Sequence, residues 1–127
     1  MSELAELLVP DAAAWRAWLD GNHGDHPGVW LVLLKVGGRT TSLTYAEALD
    51  EALCFGWIDG QLARRDDASY RQRFTRRRPN SPWSIHNVEN VARRTEAGRM
   101  QPAGVAEVEA ATAQGRWQGA YRGQADL

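Results

Sequence analysis

At 127 residues, with 43% hydrophobic and 24% charged side chains and a net charge of −1, the chain suits a single soluble domain with one core, residues 1–127. Its one cysteine excludes a disulfide scaffold and fits a reducing compartment, and no apolar run approaches the ~20 residues of a membrane helix. The acidic start Met-Ser-Glu-Leu-Ala-Glu lacks the basic segment and apolar block of a signal peptide, so a cytoplasmic location is expected.

The first ~10 residues are expected to fray. Asp11 then suits the N-cap of a helix over 12–21, with Trp15, Trp18 and Leu19 on one face at i, i+3, i+4. Asn22-His-Gly-Asp-His-Pro-Gly reads as a loop, in which His23 can cap the preceding helix. Val29-Trp-Leu-Val-Leu-Leu-Lys is apolar and β-branched, a strand largely buried on both faces. Gly37-Gly38 is a turn, and Arg39–Leu43 reads as a short strand.

Thr44 and Glu47 have capping-box spacing. Behind them Leu49, Ala52, Leu53 and Gly56 form one apolar stripe, and Gly56 can supply the left-handed residue that stops the helix. The period then changes to two. Trp57–Arg65 and Ser69–Arg76 read as an antiparallel hairpin turning at Arg65-Asp-Asp-Ala. Its return strand puts Tyr70, Gln72 and Phe74 on one face and Arg71, Arg73 and Thr75 on the other. Arg76-Arg-Arg-Pro-Asn-Ser-Pro is a loop, and Ser81 or Ser84 opens a helix with Ile85, Val88, Val91, Ala92 and Thr95 as its buried side and Gly98 as its stop. Pro102 starts a last helix carrying Val105 and Val108, ended by Gly115. Trp117 and Tyr121 pack back on the core, and the final ~6 residues fray. The pattern predicts an α+β domain: a small antiparallel sheet of three to four strands packed with about four helices.

The net charge hides an asymmetry. Residues 1–63 hold three basic and nine acidic side chains, whereas residues 64–78 hold seven arginines against Asp66 and Asp67. Arg65, Arg71, Arg73, Arg76, Arg77 and Arg78, interleaved with Tyr70 and Phe74, form the main candidate binding surface. Arginine forks suit phosphate, and aromatic faces stack bases. The alternative is a solvated face neutralised by the acidic N-terminal half. A second candidate is a pocket of Trp57, Asp59, Trp83 and Asn87, with Asp59 as a buried base. The alternatives there are a cross-strand pair of Asp59 with Arg73 or Arg71, and a capping role for Ser81 or Ser84 with Trp83 as a staple. Cys54, in the last turn of its helix, is disfavoured as a thiolate and reads as a core residue. His23 and His26 have no second ligand pair at a zinc-like spacing, so neither a metal nor a cofactor is expected.

Several blocks carry a resemblance. They are Trp18-Leu19 with Asn22-His23, Gly28-Val-Trp-Leu with Lys35, and Leu43-Thr-Tyr-x-Glu-Ala. Ala52-Leu-Cys-Phe-Gly-Trp-Ile-Asp-Gly is the most specific. Phe74-Thr with Arg77-Arg-Pro, Ser81-x-Trp-Ser-x-x-Asn87, Gly98-Arg-Met and Gly115-x-Trp follow in order. In these the chain resembles the YdeI/OmpD-associated, or bacteriocin-protection, family. Val36 and Arg76 depart from the commoner residues there, and Arg76 makes its loop more basic. The resemblance implies a non-enzymatic cytoplasmic binding protein linked to tolerance of cationic antimicrobial peptides and to envelope stress, with no reaction or cofactor attached. The partner expected is a polyanion or a protein, single-stranded nucleic acid being the sharpest case. No membrane span is expected, and nothing in the pattern specifies an oligomeric state.

Overall fold

The computed structural model describes residues 4–35, 37–39 and 41–120. In chain order the elements are β1 (Glu6–Leu7), α1 (Ala12–Asn22), β2 (Val29–Leu34), α2 (Tyr45–Cys54), β3 (Trp57–Arg64), β4 (Ser69–Arg76), α3 (Ile85–Glu96) and α4 (Pro102–Ala113). The strands form one sheet in the order β1-β2-β4-β3. The fold is α+β, as the pattern predicts.

Helix α2 holds the layers together. Thr44 and Glu47 close the capping box, and Gly56, at φ 77°, stops the helix in the left-handed region. Two faces of α2 are buried. Ala48, Ala52 and Cys54 join Trp15, Leu19, Leu31, Leu33, Trp57 and Phe74 in a core between the sheet and α1. Leu49 and Leu53 join Trp83, Val91 and Ala111 in a second core against α3 and α4. Trp15, Trp18, Trp57 and Phe74 meet at centroid distances of 5.6–6.4 Å, stacked or edge-on. Burying a tryptophan yields about 4–6 kcal/mol gross at the usual area coefficient, so few side chains carry much of this core. The start of α4 lies directly on the end of α2, where the Gln101 N–H donates to the Cys54 carbonyl at 2.9 Å. A Cβ on Gly104 would lie 2.3 Å from that carbonyl oxygen, so only glycine allows the approach.

The sheet departs from expectation in one respect: it is mixed. Glu6–Leu7 pairs in parallel with Trp30 and Leu31, whereas β2–β4 and β4–β3 are antiparallel. The segment placed among the frayed residues is therefore the fourth strand. Residue 39 and residues 41–43 form no strand. β1 covers β2 only at Trp30 and Leu31; the segment meets the far end of β2 through the Leu34 N–H on the Leu43 carbonyl, 2.8 Å, and is held by Thr41 Oγ1 on the Val9 carbonyl, 2.7 Å, and the Ser42 N–H on Pro10. Ser84, not Ser81, caps α3, accepting from the Asn87 N–H. The buried residues of α3 are Asn90 and Val91, while Ala92 and Thr95 are exposed. In α4, Val105 is 40% exposed, and Gly104 and Ala111 are buried instead. Trp117 packs on Trp83 at 5.1 Å. Tyr121 and the final residues lie outside the described residues.

Candidate anion-binding cleft

The β4 register decides where the arginines go. Trp30 lies opposite Arg73 and Val32 opposite Arg71, so Arg71, Arg73 and Trp30 share the sheet face away from the core. Phe74 is buried and Tyr70 packs partly against the core, so neither offers an open stacking face. Trp30 takes the aromatic place on the arginine face, with the guanidinium carbons of Arg71 and Arg73 at 4.8 and 5.9 Å from its ring.

The hairpin's arginines then divide into two groups. At the turn end, Arg65 pairs with Glu6 at 3.2 Å and Asp66 at 2.9 Å, and Arg71 reaches Glu6 at 4.0 Å. Here the acidic N-terminal half does neutralise the hairpin. Asp66 organises the turn by accepting from the Ala68 and Ser69 N–H groups and the Ser69 hydroxyl, each at 2.9 Å. The Ser69 hydroxyl first, then the Ala68 N–H, hold its carboxyl below the ordinary value.

At the other end, Arg73, Arg76, Arg77 and Arg78 line one cleft of about 710 Å³, whose other walls include His23, Pro27, Phe55, Pro79, Ala103 and Glu107. Arg76 donates to the Gly24 carbonyl at 3.1 Å. Arg77 is buried, donates to the Pro82 carbonyl at 2.7 Å and stacks 3.9 Å from the Trp83 ring. Its N–H holds the Gly56 carbonyl, so the helix stop fixes the start of the basic loop. Among the described residues no carboxylate lies within ion-pair distance of Arg73, Arg76 or Arg78. A carbonyl orients a guanidinium without cancelling its charge, so the cleft stays positive.

The second candidate group is not brought together. Trp57 is in the sheet–α1 core and Trp83 in the α3–α4 core. Neither they nor Asp59 and Asn87 line the cleft. Asp59 is opposite Phe74, on the helix side of the sheet, so it cannot reach Arg71 or Arg73. It accepts from the Tyr45 hydroxyl at 2.8 Å and more distantly from Gln72 Nε2 at 3.4 Å. Desolvation, then this bond to Asp59, push the Tyr45 phenol well above its ordinary value, although 38% of the residue is exposed. His23 closes α1 with Nδ1 2.8 Å from the Leu19 carbonyl and presents its ring to the cleft.

Sequence reasoning missed Glu51. This α2 carboxylate is buried among three guanidiniums: Arg16 at 2.8 Å, Arg94 at 2.9 Å and Arg99 at 3.2 Å. The signal was present, because Ala48, Glu51, Ala52 and Phe55 form a second i, i+3, i+4, i+7 stripe on α2. Trp30 was missed too, since its position depends on β2 lying beside β4.

No helix among the described residues is long and apolar enough to cross a membrane. Among curated proteins none matches this chain, and none among solved structures does. Residues 7–107 match the family described as domain of unknown function DUF8412, and because that match spans most of the chain, the protein belongs to that family.

Proposed function

We propose that the protein is a non-enzymatic binding module for a phosphorylated ligand of nucleotide size, held in the arginine cleft. The observation that carries this reading is the convergence of Arg73, Arg76 and Arg78 on one concavity, whose lining holds one carboxylate, Glu107, among the described residues. Its volume lies within the ~300–1,000 Å³ of small-molecule sites. Its Pro27, Pro79 and Ala103 walls suit a sugar or base beside the phosphate. The resemblance to the YdeI/OmpD-associated family supports a binding role in the cytoplasm during peptide or envelope stress. A cationic peptide is repelled by this cleft, so the link to peptide tolerance runs through an anionic effector.

Calorimetry with thymidine monophosphate and thymidine tests the reading. The nucleotide binds and thymidine binds at least ~10-fold more weakly, since a charge-assisted hydrogen bond is worth about 1.5–3 kcal/mol. An Arg76→Gln/Arg78→Gln variant loses about 10–100-fold of nucleotide affinity. Equal binding of thymidine, or an unaffected variant, refutes it.

A further inference from the structure

The arginine cleft ends at the Phe55 ring, and so does a second cavity of about 510 Å³ that includes Arg16, Asp20, Arg99 and Gln101 in its walls. Two observations make the cavities neighbours. The His23 ring, on the wall of the first, lies 5.1 Å from the Phe55 ring, and the Arg16 guanidinium, on the wall of the second, lies 5.2 Å from the same ring. Ala103 lines the first and Gln101 the second, only two positions apart at the start of α4.

The second cavity is also cationic. Its wall carries Arg16 and Arg99 against Asp20, and behind it Glu51 holds both of these arginines together with Arg94, so three guanidiniums share one carboxylate there. Arg99 is 43% exposed at its side chain and can turn to a ligand without unmaking the fold.

Resting on the phosphate reading above, we infer that the two cavities form one track and that the ligand is a single-stranded nucleic acid, with phosphates on both sides of Phe55. A mononucleotide fills one cavity; only a polymer reaches the second. The apolar walls at Pro27, Pro79 and Phe55 accept sugars and bases, which a chain of phosphate alone does not need.

The test is fluorescence anisotropy with labelled oligothymidylates from a dinucleotide to about 10 nucleotides, a span set by single-strand site sizes. Thymidine monophosphate and inorganic polyphosphate serve as competitors. Affinity rises at least ~10-fold with length and then levels off, and its logarithm falls with log salt with a slope of about −0.7 per phosphate engaged. Arg99→Gln lowers the affinity of the longest oligonucleotide several-fold, cuts its salt slope by about 0.7, and leaves thymidine monophosphate binding unchanged. If the longest oligonucleotide binds no better than the monophosphate, or Arg99→Gln affects both alike, the track is refuted while the cleft reading stands. If polyphosphate binds and no oligonucleotide does, the ligand class is overturned. If Arg76→Gln/Arg78→Gln leaves every ligand's binding unchanged, the cleft reading itself has failed. The length series on the unaltered protein keeps the test valid should Arg99→Gln fold poorly.

Discussion

Replacing Glu51 by glutamine keeps the side-chain volume and removes the one charge that three arginines share. The side chain is 9% exposed, and its partners are 20%, 19% and 43% exposed. A solvent-exposed pair is worth ~0.2–1 kcal/mol. Removing one partner of a fully buried pair costs ~3–5 kcal/mol, because the other charge stays desolvated. This cluster lies between those limits, so Glu51→Gln destabilises by about 2–4 kcal/mol. Urea unfolding followed by circular dichroism reads this as a midpoint lower by roughly 1–2 M with an unchanged slope. A second substitution checks the cause. In the Glu51→Gln background Arg99→Gln removes a guanidinium that now only repels Arg16 and Arg94, so it costs less than in the unaltered protein, or stabilises, with a coupling of about 1 kcal/mol. A loss below about 1 kcal/mol, or additive effects, refutes the view that Glu51 neutralises a desolvated cationic cluster.

Three further outcomes are expected. Gly104→Ala sets a Cβ against the Cys54 and Leu53 carbonyl oxygens, 2.3 and 2.8 Å away, and neither backbone group can yield; a destabilisation of about 2–3 kcal/mol in urea is expected, and an unchanged midpoint contradicts the close approach of α4 to α2. The Tyr45 phenol is raised in the folded state, so its contribution to stability is complete below the unfolded pKa near ~10 and is lost as pH rises through the folded value. In an ultraviolet titration Asp59→Asn makes this tyrosine ionise earlier, and no change refutes the Asp59 bond. The Asp66 carboxyl is lowered, so the turn's stabilisation is present above the unfolded pKa near ~4 and is lost as pH falls through the folded value; the Ala68 and Ser69 amide signals should move at a lower pH than in an unstructured peptide, and Asp66→Asn should abolish that step.

The local signals were legible because each depends on neighbours in sequence. The capping box at Thr44, the left-handed stop at Gly56, the Asp11 cap and the two faces of β4 all follow from spacings of a few residues. What escaped was set at long range. The pairing of Glu6–Leu7 with β2 has only two residues of pattern to show and is parallel. The division of the arginines into a neutralised group and a cleft group depends on Glu6 reaching Arg65 and Arg71 across the sheet. The segment expected to fray therefore decides which end of the hairpin is neutralised. Tyr70 and Phe74 face the core, as the alternation along β4 requires, so they form no stacking surface beside the arginines.

The strand order also bears on how the chain reaches this structure. Strand β2 emerges early in synthesis, but its antiparallel partner is β4, and their ladder joins residues 29–34 to residues 69–74. Closing so long a loop is slow, whereas β3 and β4 meet through a turn of a few residues. The hairpin therefore forms first and β2 docks onto it afterwards. Until β4 has left the ribosome, Leu31, Leu33 and the tryptophans of α1 lack the strand that completes their layer, which makes this the stretch of synthesis most exposed to aggregation and to chaperone capture.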